Sequence, residues 1–221
     1  MNDTVDLLFW QLADSAFPTG SFAHSGGLEA AWQSGEVDDA PALARFARGV
    51  IEQAGGSVLP LLNAAHRAPE RFEELDQLAN LFLVNPVANR ASRVQGRALA
   101  ATIARVWPGD AVSGIAARVE AGIGHQGPVM GAMFAALEVP LDVTRHVCLY
   151  AAARGVLAAA VRLGIVGSYE SQRLQHDLGP AIGEIAARAR ETDEHDLAQT
   201  APVLDVLQAA HDRLYSRLFQ S

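Results

Sequence analysis

The chain has 221 residues, half of them apolar, enough for one sizeable core at the upper end of a single domain, while its formal charge of −8 excludes general binding to polyphosphate backbones. All 17 basic residues under Lys plus Arg are arginine, so the chain has no P-loop lysine and no Schiff-base lysine, and it is not itself a P-loop GTPase or ATPase. Cys148 is the sole cysteine, no apolar run reaches the roughly 18 residues that span a bilayer, and nothing reads as a secretory signal, so a cytoplasmic protein without membrane or nucleic-acid partners is expected.

Apolar residues recur at helical spacing and alanine is abundant, which predicts an all-α fold. We expect a single-domain helical bundle of roughly ten helices over residues 1–221. A first helix follows Asp3 and Thr4, with Leu7, Leu8 and Leu12 on one side, and ends before Pro18. A second opens near Ser25 or Gly26 and runs through "LEAAWQ" to Gly35. Asp38, Asp39 and Pro41 make a helix start for "ALARFARGVIEQ", and Gly55 with Gly56 is expected to break it. Segments 57–67, 70–84 and 87–107 follow, separated by Pro69 and by Asn85 with Pro86. Further helices are predicted at 110–121, 129–138, 141–163 and 168–190, with a kink or break at Gly179 and Pro180. The last is expected to run from Pro202 nearly to the end, after an acidic connector, 191–200, that is the weakest candidate for order.

Three constellations invite a functional reading. "FPTGSFAHSGGLE", residues 17–29, is rich in glycine and hydroxyl groups but lacks the lysine of a phosphate loop. Asp14, Ser21, His24 and Ser25 as a hydrolase set rest on proximity alone, which is weak grounds for a triad. Between Asp76 and Asp110 no acidic residue occurs, while Arg90, Arg93 and Arg97 stand at i, i+3 and i+7 on one helix face beside Ser92 and Gln95. These guanidinium groups must find anions on distant helices or on another molecule. In "TAPVLDVLQAAHDRLYSRLFQS", Val203, Leu207, Ala210, Leu214 and Leu218 form a helical apolar stripe. His211 with Tyr215 and Arg213 with Arg217 form i, i+4 pairs away from it. Metal ligation has little support: of seven histidines only His195 clusters with carboxylates, in "DEHD".

Together these stretches resemble the UreF family of urease accessory proteins. The resemblance rests on "LLFWQLADSAFPTGSFAHSGGLEAA", "RASRVQGRAL", "AAAVRLGIVGSYESQRL" and the ending "HDRLYSRLFQS", in order along nearly the whole chain. His24 stands where the family usually has tyrosine, and Gly26 where a polar residue is common. The resemblance implies a non-catalytic helical dimer that joins UreD (also called UreH), recruits the GTPase UreG to apo-urease for nickel insertion, and holds no tight cofactor, with nickel only in transit.

On that reading the partner-binding residues are Phe17, Pro18, Gly20, Phe22, Ser25 and Glu29 in the turn and Arg90, Arg93, Gln95, Arg97 and Arg162 in the helices. His211, Arg213, Tyr215, Arg217, Leu218 and Phe219 complete the set at the carboxyl end. Two alternatives stay open. One is a nickel metallochaperone using His195 with its acids, or His211; the other is an arginine finger supplied to the GTPase by Arg90, Arg93, Arg97 or Arg162.

Overall fold

A computed structural model describes the backbone of residues 3–221 and the side chains from Leu7 onward. Among the described residues there are helices, turns and loops, and no strand. The α-helices are α1 (Asp3–Ala13), α2 (Leu28–Gln33), α3 (Ala40–Ser57), α4 (Leu59–Arg67), α5 (Phe72–Phe82) and α6 (Pro86–Val106). They continue as α7 (Asp110–Ala121), α8 (Gln126–Ala136), α9 (Leu141–Arg162), α10 (Ser168–Asp177), α11 (Gly179–Arg188) and α12 (Pro202–Ala210). The predicted all-α class is what the chain adopts.

Helix starts follow local chemistry. Asp39 caps α3 by accepting the Ala42 N–H at 2.7 Å, with Pro41 in the first turn. Asn85 caps α6 through the Val87 N–H at 3.0 Å, and its own amide reaches the Asp205 carbonyl at 2.8 Å, tying α6 to α12. The break expected at Gly179 and Pro180 falls between α10 and α11.

α8 is apolar around its circumference and is buried from Gly127 to Phe134, with α4, α5, α6, α7 and α9 around it. Gly131 permits the approach to α4, since a β-carbon there would lie within 3.0 Å of the Leu62 carbonyl oxygen. α9 is the second central element, contacting α3, α10 and α11. The main core, including Leu43, Ile51, Leu62, Phe72, Ile103, Met133, Phe134, Leu149 and Leu157, runs through most of these helices. In α1, Leu12 is buried and Leu8 packs on the core, but Leu7 points outward.

Three expectations are corrected. Gly55 and Gly56 do not break α3, which continues to Ser57. Their small size instead admits neighbours: a β-carbon on Gly56 would meet the Ala198 carbonyl at 2.9 Å, and one on Gly55 the Ile185 side chain at 2.6 Å. The acidic connector is an ordered strap rather than a loose link. Asp193 and Asp196 form a capping box, Glu194 pairs with Arg71 at 2.6 Å, and the Ala198 N–H donates to the Gly56 carbonyl at 3.0 Å.

Finally, the helix expected to run nearly to the end stops at Ala210 and is followed by a single 3-10 turn, His211–Arg213. The i, i+4 pairs His211 with Tyr215 and Arg213 with Arg217 therefore do not form on a helix face. The predicted apolar stripe holds at Leu207 but not at Val203 or Leu218, which are 69% and 53% exposed, and Leu204 packs on the core beside Leu207.

Candidate functional site

Residues 17–29 form a folded turn whose backbone requires glycine. Gly20 and Gly27 have φ of 74° and 91°, and a β-carbon on Gly27 would stand 3.1 Å from the Gln208 nitrogen of α12. Phe17 is buried with its ring centroid 5.7 Å from that of Trp107, and the Pro18 carbonyl accepts the Thr102 hydroxyl at 2.8 Å. The hydrolase set is not brought together. Asp14 accepts the Ala16 N–H, Ser21 bonds to Thr19, and His24 and Ser25 both face Ser221.

That last contact is one part of a clasp between residues 17–29 and 211–221. The Ser221 carbonyl accepts the Ser25 N–H at 2.5 Å and the Ser25 hydroxyl at 3.0 Å, and its hydroxyl shares a 2.5 Å hydrogen bond with His24 Nδ1. The Gln220 N–H donates to the Ala23 carbonyl at 2.8 Å. Glu29, 2% exposed, accepts the N–H groups of Leu218 at 2.6 Å and Phe219 at 3.2 Å. His211 is fully buried, donates Nε2–H to the Phe219 carbonyl at 3.2 Å, and holds Nδ1 3.8 Å from Glu29.

Arg162 closes the outer side of the clasp. Its guanidinium carbon lies 4.0 Å from the Phe22 ring centroid and 4.2 Å from that of Phe219, and it donates to the Phe22 carbonyl at 2.6 Å. Phe219 is buried by this stacking, whereas Phe22 stays 72% exposed. Tyr215 and Leu218 are also exposed, as are Arg213 and Arg217. The exposed rings thus come from both segments of the clasp, Phe22 from one and Tyr215 from the other, and the exposed guanidinium groups from 211–221.

The arginine stripe divides into three fates. Arg90 pairs with Asp212 at 2.9 Å, and Asp212 also faces Arg217 at 3.5 Å. Arg97 donates to the carbonyls of Ile123 at 2.9 Å and Gly122 at 2.8 Å. Arg93 is exposed with no hydrogen-bond or ion-pair partner among the described residues. Gln95 lines a cavity under the clasp.

The rest of "RASRVQGRAL" holds the loop between α7 and α8. Ser92 accepts the Gln126 N–H and bonds to His125 Nδ1, both at 3.1 Å. His125 Nε2–H donates to Asn80 Oδ1 at 3.3 Å, and burial pushes the ring's pKa down to about 4, which keeps it neutral near pH 7. Asp76, buried to 2% exposure, accepts three successive backbone N–H groups, from Ile123 at 3.1 Å, Gly124 at 2.8 Å and His125 at 2.7 Å. Gly96 allows this loop to lie against α6, because a β-carbon there would fall within 3.0 Å of the Gly124 carbonyl oxygen.

Asp76, His125, Asp212 and Ser221 stand outside the residues that the sequence marks as partner-binding. The sequence signal for Asp212 and Ser221 is their place in the ending motif; Asp76, on α5, has none, because its three partners lie 47 to 49 residues away in the loop before α8. In "DEHD", Asp193 and Asp196 cap backbone N–H groups and Glu194 pairs with Arg71, and no group of three or more His, Cys, Asp or Glu side chains placed to hold a metal occurs among the described residues.

The features define an all-helical protein whose motif residues order loops and join distant segments, leaving aromatic and arginine side chains outward. The UreF family model matches residues 37–179. Urease accessory protein F of Arabidopsis thaliana is 34% identical over 220 residues, covering 96% of this chain and 91% of its own. Urease accessory protein F of Oryza sativa subsp. indica is 33% identical over 218 residues, covering 95% and 83%. Urease accessory protein UreF of Rhodopseudomonas palustris (strain BisB5) is 33% identical over 214 residues, covering 93% and 87%. The chain belongs to the UreF family of urease accessory proteins.

Proposed function

We propose that this chain acts in urease maturation as a non-catalytic, cytoplasmic scaffold of one domain. It forms a homodimer, docks UreD (UreH), and presents UreG to apo-urease for nickel insertion, with no resident cofactor and nickel at most in transit. The observation that carries this reading is the clasp, whose buried polar contacts hold 211–221 in one conformation while Tyr215, Leu218, Arg213 and Arg217 remain exposed. Aromatic and arginine side chains displayed on a rigid support are the usual anchors of a protein interface.

The test is co-expression with UreD and UreG, followed by sizing of the complex. Removing residues 210–221 is expected to leave a helical protein that no longer co-purifies with UreD. Retained co-purification would overturn the docking role of this segment.

The arginine-finger alternative narrows to Arg93, because Arg90, Arg97 and Arg162 already have partners within the chain. A finger predicts loss of roughly 10³-fold in stimulated UreG turnover for Arg93→Ala with binding intact. Turnover that follows binding supports the scaffold.

A further inference from the structure

The outward face of α12 is apolar where a solvent-facing helix is ordinarily polar. Pro202, Val203, Val206 and Ala209 lie on that face and are all exposed, and it continues through the 3-10 turn to Asp212 and Arg213. Val84 extends the strip: it is largely exposed one residue before Asn85, whose side chain holds the Asp205 carbonyl between Val203 and Val206. Valine is a weak helix former, so neither propensity nor burial within the chain accounts for these two side chains.

The carboxyl-terminal end of the strip is cationic. Arg90 and Arg217 share one carboxylate oxygen of Asp212, at 2.9 Å and 3.5 Å, so one of their two charges is left uncompensated. Arg93, one turn along α6 from Arg90, and Arg213 are exposed with no hydrogen-bond or ion-pair partner among the described residues. Glu29, the other carboxylate of the clasp, is buried and taken up by the N–H groups of Leu218 and Phe219. On a molecule of net charge −8 this is a local excess of guanidinium groups.

The two halves together select an occupant. A polyphosphate backbone would suit the arginines alone, and the rest of the surface repels it. A carboxylate-bearing helix suits both, since guanidinium groups pair bidentately with carboxylates and an apolar ridge covers the valines. Asp205, the only carboxylate in α12, sits among the valines, so the acidic residues of such a helix belong at the arginine end.

Given the docking role proposed for residues 211–221, on which this step depends, we infer that α12 and the neighbouring arginines dock an acidic amphipathic helix of the partner protein. Its apolar ridge lies on Val203 and Val206, and its carboxylates on Arg93, Arg213 and Arg217.

The test is surface plasmon resonance of the full chain over immobilised UreD at about 50 and about 300 mM NaCl. Steered association is expected, its rate falling about ten-fold across that range. Arg93→Glu combined with Arg213→Glu should slow low-salt association about ten-fold or more and flatten the salt dependence, with the exposed Arg105→Glu at the far end of α6 as an unaffected control. Val206→Ser should speed dissociation about five-fold. All four side chains are exposed, so their replacement leaves the core intact. Association independent of salt, the double variant binding at the unsubstituted rate, or unchanged dissociation of Val206→Ser would each overturn the inference while docking stands. No binding by the unsubstituted chain would overturn the docking reading and this inference with it.

Discussion

Glu29 illustrates how much of this molecule hangs on single buried polar groups. Its carboxylate is the acceptor for both the Leu218 and Phe219 N–H groups, so Glu29→Ala strands two donors at once. We expect that variant to lose about 2–3 kcal/mol in urea denaturation and to be cut faster by trypsin after Arg213 and Arg217, with Glu29→Gln intermediate. His125 governs a different response. Its ordinary value is 6.5 and its folded value about 4, so between them the folded state binds fewer protons than the unfolded one. The stability that this neutral ring contributes is complete above pH 6.5 and is lost as pH falls toward 4, up to about 3 kcal/mol. His24 and His66 are lowered in the same sense, chiefly by burial. Denaturant midpoints measured from pH 7.5 to 5 should fall, and His125→Gln should start lower at neutral pH but flatten the slope.

At the scale of elements, glycine positions separate close packing from mere propensity. Gly96→Ala drives a methyl group into the Gly124 carbonyl and should destabilise by about 2 kcal/mol or more, whereas Gly183 in α11 has nothing within 4 Å of its added β-carbon. Gly183→Ala should therefore stabilise by about 0.5–1 kcal/mol, both read from thermal or urea unfolding. Helix boundaries with a local cause were legible: α7 runs over 110–121 as its pattern predicts, and the Pro180 break is present. What was not legible has non-local causes. Residues 211–221 keep a helical apolar period, yet the N–H groups of Leu218 and Phe219 are taken by a carboxylate 189 and 190 residues away. The 17–29 turn was readable as a shaped surface, but its partner was not, because no local pattern announces that Ser25 will meet Ser221. The strap at 191–200 is loose by composition yet is ordered by Gln53 and Gly56 of α3 and by Arg71 just before α5.

For the whole molecule, the clasp closes one side of the main core, to which it contributes Phe17, Leu28 and Phe219. Cutting after Ala209 removes no α-helix beyond the last residue of α12, so far-ultraviolet circular dichroism should change little while the midpoint of unfolding falls. Such a variant uncovers His24, Ser25 and Glu29, three polar side chains now buried against the missing segment.

The 196-residue separation between Ser25 and Ser221 also fixes an order of events during synthesis. The 17–29 turn leaves the ribosome long before residues 211–221 and cannot close until they follow, so every nascent copy carries an open, glycine-rich hook while the intervening chain is made. A chaperone or a co-translationally arriving subunit would meet the protein in that unlatched form, and slowing translation between codons 30 and 221 should lengthen the interval in which it does.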